Sequence, residues 1–202
     1  MFRFPLLHKN NIRDYVTIRG KEKLDALKEE GKGCILAATH CGNWEVEGAA
    51  LALYGYPPPF PVAMQQKNKD FDRFLCEYRS MPGQKVEYKT GVRISAPTQG
   101  RILRCLLCDQ DPGDTGILSP FLGQETLTAT GPAHFSLLTG LPVMTAFIHE
   151  TSPWHYEIII GDPICADEGL KKKEAIKNIT DKVNERLGKV DPHLSGRMVL
   201  AS

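Results

Sequence analysis

Short apolar runs of strand length alternate with amphipathic stretches of helical period along most of this chain. That alternation confines it to α/β folds in which helices flank a mainly parallel sheet. Cys34–Ala38, Pro61–Met64, Ile102–Cys108, Pro142–Ile148 and Trp154–Ile160 are the strand-like runs. Between them, helices are predicted over 21–32, 46–54, 70–80, 131–139 and 170–187, several closed by glycine. The segment 91–100 is weakly patterned and is assigned to a loop. At 202 residues the chain suffices for one core, so residues 1–202 are expected to form a single domain.

Charge and composition exclude several classes. Twenty-five Lys and Arg against 24 Asp and Glu give a net charge of +1, without the basic excess of a general nucleic-acid binder. The one dense basic run, Lys171–Lys173, belongs to a solvated helix face. No apolar stretch reaches the length of a membrane span, and the short basic start lacks a signal-peptide core. The chain is therefore expected on the cytoplasmic side. Six irregularly spaced cysteines make no disulfide framework, and the lone Cys105-x-x-Cys108 lacks a second pair for zinc, so no metal site is expected.

In parallel sheets chemistry collects at the C-terminal ends of strands. His40 follows one strand, and Asp109-Gln110-Asp111 follows another. His40 and Glu45 also form an H-x4-E pair, a spacing that arises about once by chance in a chain with six histidines and 24 acids. On a continuous helix the two would point about 140° apart. Here the strand stops at Thr39, Gly42 permits unusual backbone angles and Asn43 is a good N-cap. Glu45 would then sit in the first helical turn and reach back to orient His40 as a general base. The bland alternative is a histidine capping the strand end and a glutamate balancing the helix dipole. Cys41 offers a thiol nucleophile as a further, weaker option.

The run Thr39-His40-Cys41-Gly42-Asn43-Trp44-Glu45 resembles the H-x-G-N-W-E signature of the bacterial lipid A biosynthesis acyltransferases, the lauroyl and myristoyl transferases of the H-x4-D/E group. A second block is similar in the same order: Asp109-Gln110-Asp111-Pro112-Gly113, Pro120-Phe121-Leu122-Gly123, Thr128-Ala129-Thr130-Gly131-Pro132-Ala133 and Leu138-Thr139-Gly140-Leu141-Pro142-Val143. Asp72-Arg73-Phe74-Leu75 and Tyr78-Arg79-Ser80 look like the segment between the blocks. The resemblance covers about residues 15 to 190.

It implies a glycerolipid-acyltransferase-like fold and transfer of an acyl group from acyl-carrier-protein thioester to a hydroxyl of a lipid A precursor or related glycolipid. His40 would be the general base and Glu45 its orienting partner, with no cofactor. Gly42, Asn43, Arg79, Asp109, Gln110, Asp111 and Thr130 are the candidate substrate-binding residues. For three of these places a bland reading stands beside the functional one. Asp109 and Asp111 are suited to bonding turn amides, Arg79 to pairing with a nearby acid, and Thr130 to capping its helix. The expected partners are acyl carrier protein, the acceptor lipid and, peripherally, the cytoplasmic face of the inner membrane, with no nucleic acid.

The chain departs from the family in beginning close to the first motif, without the usual N-terminal membrane helix. It lacks a basic residue near Met64-Gln65-Gln66, the Arg/Leu-rich helix over 91–100, and the family's tail over 192–202. These departures keep open an inactive or truncated paralogue. A hydrolase using the same His-Glu pair is the other alternative. The N-terminal Phe2, Phe4, Leu6 and Leu7, with Arg3, Lys9 and Arg13, are the candidate membrane contact.

Overall fold

The computed structural model describes residues 4–57, 59–63, 65–84, 86–88 and 103–189. The expectations concerning Phe2 and Arg3, Met64, the segment 91–100 and the tail 192–202 lie outside these residues. Among the described residues a seven-stranded sheet runs in the order β1-β9-β8-β2-β5-β3-β4. Its strands are β1 (Val16–Arg19), β2 (Cys34–Ala38), β3 (Pro59–Ala63), β4 (Glu87–Tyr88), β5 (Leu103–Leu107), β8 (Val143–Ser152) and β9 (His155–Ile160). All neighbours pair parallel except β8 with β9, an antiparallel hairpin. The expected mainly parallel sheet flanked by helices is what forms.

The central strand shows why. All five residues of β2 are buried, which a strand covered on both faces requires. Its alternate side chains feed two cores. Cys34, Leu36 and Ala38 join Ile12, Leu24, Leu51 and Ile148, under α1 (Ile12–Tyr15), α2 (Lys21–Glu29) and α3 (Trp44–Leu53). Ile35 and Ala37 join Phe135, Val143, Ile179 and Val183, under α5 (Gly131–Thr139) and α6 (Lys172–Gly188). The remaining helix, α4 (Lys69–Ser80), is N-capped by Asn68, whose side chain accepts from the Asp70 and Phe71 amides.

The predicted helices fall within a few residues of these bounds. The strand-like runs did not include β1, the two-residue β4 or a separate hairpin, β6 (Ile117–Phe121) with β7 (Gln124–Thr128). That hairpin turns on Leu122 and Gly123, both at positive φ, as a two-residue type I′ turn demands. Leucine is a poor advertisement for such a turn, so the local signal was weak. Among the described residues, no helix is long and apolar enough to cross a membrane.

Candidate active site

Strands β2 and β5 are parallel neighbours, with Ala38 opposite Leu107. The Cys108 amide carries the pairing one step further by donating to the Ala38 carbonyl at 2.9 Å. The residue two places beyond each strand end is His40 on one side and Asp109 on the other. Equal overhang in equal register brings them together. One Asp109 oxygen accepts the His40 backbone N–H at 2.7 Å, and the other meets His40 Nδ1 at 2.7 Å. The Asp109 side chain is 11% exposed and that of His40 28%.

A carboxylate on Nδ1 holds the proton there, so the Nε2 lone pair is the one left to face a substrate. The imidazole packs edge-to-face with Trp44, the ring centroids 5.1 Å apart and the planes at 72°. This fixes the ring from a second direction.

The expected hydrogen bond between Glu45 and His40 does not form. Glu45 is instead gripped by Arg79, whose Nε lies 3.0 and 3.1 Å from the two carboxylate oxygens and whose Nη2 lies 2.5 Å from one of them. The turn expected between His40 and Glu45 is present: Gly42 has φ +65°, and Asn43 caps α3 by accepting the Val46 amide at 3.3 Å. The turn parts the two side chains, however. His40 leaves it toward the end of β5, while Glu45, in the first turn of α3, faces α4. A Cβ on Gly42 would lie 2.1 Å from the Ile148 carbonyl oxygen, so the loop also presses against β8 too closely for any other residue.

The other candidates scatter. Arg79 takes the acid-pairing reading, burying an ion pair that ties α4 to the start of α3. Both Asp109 oxygens contact His40, one at the backbone N–H and one at the ring. Asp111 accepts the Gly113 amide at 2.8 Å, an ordinary turn contact. Gln110 is exposed beside it. Thr130 precedes α5 and its side chain makes no cap bond, only its carbonyl accepting from His134. Cys41 is buried, and burial raises its thiol pKa, which disfavours the thiolate a nucleophile needs. Among the described residues no group of three or more metal-ligating side chains assembles.

The sequence placed His40 and Asp109 each just past a strand end and expected Glu45 beside the imidazole, whereas in the structure Asp109 is the acid that contacts it. The signal available was the matching two-residue overhang of two strands, and it becomes usable only once those strands are known to be neighbours.

An apolar cavity of about 140 Å³ lies beside Asn43 and Glu45, walled by Leu6, Leu7, Tyr15, Val46, Tyr78 and Trp154. The sequence did not foresee this wall, because it draws on the N-terminal segment, α3, α4 and the β8–β9 turn at once.

A family model described as bacterial lipid A biosynthesis acyltransferase matches residues 1–191. A phosphatidylinositol mannoside acyltransferase of Mycolicibacterium smegmatis is 29% identical over 146 residues, covering 69% of this chain and 47% of the relative. A protein of the same description from Mycobacterium tuberculosis is 26% identical over 167 residues, covering 78% of this chain and 52% of the relative. The chain thus spans about half the length of the curated relatives it matches.

Proposed function

We infer the chemistry from a family and a site together: the chain belongs to the bacterial lipid A biosynthesis acyltransferase family, and its His40–Asp109 pair is built for base catalysis at a hydroxyl. The proposed reaction moves a fatty acyl group from a thioester, carried by acyl carrier protein, to a hydroxyl of a sugar-bearing lipid. His40 Nε2 takes the proton of the acceptor hydroxyl as its oxygen attacks the thioester carbonyl carbon. The tetrahedral intermediate then collapses, the C–S bond breaks, and the imidazolium returns the proton to the departing sulfur. Asp109 holds the tautomer and balances the imidazolium charge. Glu45 and Arg79 act one step removed, holding α3 and hence the loop that carries His40.

The observation that carries this reading is the 2.7 Å contact between Asp109 and His40 Nδ1 at the strand ends. The apolar cavity beside Glu45 supports it as a place for an acyl chain. The acceptor class is supported by the relatives' description as phosphatidylinositol mannoside acyltransferases, and a lipid A precursor by the family description.

Such an acceptor lies in a membrane, so the chain is proposed to work as a peripheral protein at the cytoplasmic face of the inner membrane. Exposed Leu6 (64%) beside the cavity, with exposed Lys9 and Arg13 nearby, supports contact with an anionic lipid surface.

The test incubates the purified chain with an acyl thioester and a glycolipid acceptor and follows the product by mass spectrometry. Acylated glycolipid is expected, with a ~10²–10⁴-fold loss in His40→Ala at an unchanged melting temperature. Release of free fatty acid alone, no reaction, or a fully active His40→Ala would each overturn the reading.

A further inference from the structure

On the other side of the catalytic loop a second pocket of about 410 Å³ opens, a size within the range of small-molecule sites. One wall is the loop itself, residues 41–45. The other is β8 over 147–150 with Tyr156 of β9. The two pockets share Asn43, Glu45 and Tyr156, so they flank the loop that carries His40.

The chemistry of this second pocket is unlike that of the first. His149 stands in it with Nε2 3.1 Å from Glu157, which in turn meets Arg19 at 3.1 Å. Phe147 stacks on its ring at 6.3 Å. The imidazole is thus held by a carboxylate and a phenyl face, and its Nδ1 has no protein partner among the described residues. Glu150 accepts the Trp154 amide with one oxygen at 2.9 Å, and its other oxygen likewise has no protein partner among those residues. Trp44, whose ring also braces His40, belongs to the opposite wall.

Among the described residues no lysine or arginine lines this pocket, whereas Glu150 and the Arg79-paired Glu45 do. A phosphate would find a carboxylate and no cation there. An indole opposite an oriented imidazole and a carboxylate suits a ring that is apolar on its face and covered in hydroxyls at its edge.

We propose that this pocket is the sugar subsite of the acceptor, with Trp44 as the stacking wall and His149 and Glu150 receiving hydroxyls of a hexosyl ring. This rests on the reading of the chain as a glycolipid acyltransferase and adds where the sugar sits. Glu157 is a positioning residue that acts through His149. With the sugar held between Trp44 and β8, one of its hydroxyls lies on the side of the indole that carries His40.

The chain has two tryptophans, so Trp154→Phe leaves Trp44 as the sole reporter. In that background, titration with methyl α-D-mannopyranoside should give a saturable change in Trp44 fluorescence. His149→Ala and Glu150→Ala should each weaken it at least tenfold, Glu157→Gln should weaken it less, and inorganic phosphate should not compete. In the turnover assay His149→Gln should raise KM for the glycolipid about tenfold and leave KM for the thioester and kcat near wild type. Thermal melts confirm that each variant folds.

A silent Trp44, equal binding by His149→Ala, or competition by phosphate overturns the proposal. Binding needs no turnover, so the two readings fail separately. Acyl transfer without hexoside binding sinks the subsite alone, whereas hexoside binding without acyl transfer leaves the subsite and sinks the reaction.

Discussion

Replacing Asp109 by Asn and Glu45 by Gln separates the two acids that flank the His40 loop, because the proposed mechanism gives them different work. In Asp109→Asn the amide oxygen still accepts the His40 backbone N–H, so stability falls by only about 1 kcal/mol. The amide nitrogen, however, faces Nδ1 as a donor. It favours the tautomer with the proton on Nε2, the nitrogen that must receive one. Loss of the correct tautomer costs up to ~10⁴-fold in the serine-protease triad, and a fall in kcat of ~10²–10⁴ is expected here.

Glu45→Gln leaves the Arg79 guanidinium facing a neutral amide, with the two side chains 18% and 7% exposed respectively. Breaking a buried pair on one side costs ~3–5 kcal/mol, and the residual exposure of Arg79 places the value near about 3 kcal/mol. For a chain of this size that is a drop of about 6–12 °C in Tm. Activity of the folded fraction should stay within about tenfold of wild type. The double variant Glu45→Leu with Arg79→Leu should recover much of the lost stability, since neither charge is then stranded. Differential scanning calorimetry and initial rates measured well below both melting temperatures make the comparison. If Asp109→Asn keeps wild-type kcat while Glu45→Gln abolishes turnover at an unchanged Tm, Glu45 orients His40 and the assignment here is wrong.

Other variants probe the loop and the core. Gly42→Ala adds a left-handed penalty of ~1–2 kcal/mol to a Cβ 2.1 Å from the Ile148 carbonyl oxygen; a Tm loss accompanied by loss of turnover is expected, and an unchanged melt would refute the close approach. Cys41→Ala should keep activity within a few-fold and show no protection from thiol reagents, whereas complete inactivation in a folded protein would restore the nucleophile reading. Glu47, buried on α3 with one carboxylate oxygen unpartnered, has its pKa raised by desolvation to about 8. Its folded pKa lies above the ordinary glutamate value of 4.5, so folding takes up a proton between these values and stability falls as pH rises through that window, by at most ~1.4 kcal/mol per unit. Glu47→Gln should therefore be more stable than wild type at pH 8 and lose that advantage near pH 4; parallel pH–stability curves would refute the burial argument.

Much of the scaffold was written locally. The continuous apolar run Cys34–Ala38 announces a strand covered on both sides, and Gly42 with Asn43 announces the turn and cap that follow it. The hairpin turning on Leu122 and Gly123 was not legible, because its conformation is imposed by pairing across β6 and β7 and the residue at the turn does not favour it. Strand β1 is four residues long, too short to show a period, and it becomes a strand only by lying beside β9.

The sequence alone determined that this is an α/β chain with His40 and Asp109 each just past the end of a strand, and with a glycine-permitted turn after His40. Such features follow from side-chain period, backbone freedom and capping, all of which act within about ten residues. The tertiary structure decided which acid meets the histidine. His40 and Asp109 are 69 positions apart and Glu45 and Arg79 are 34 apart, and the first contact exists because β2 and β5 are neighbours in register. Sheet order comes from the packing of two cores on opposite faces, which no local pattern encodes. The nearer acid in sequence, five residues from His40, is turned away by the same left-handed glycine that made the loop recognisable.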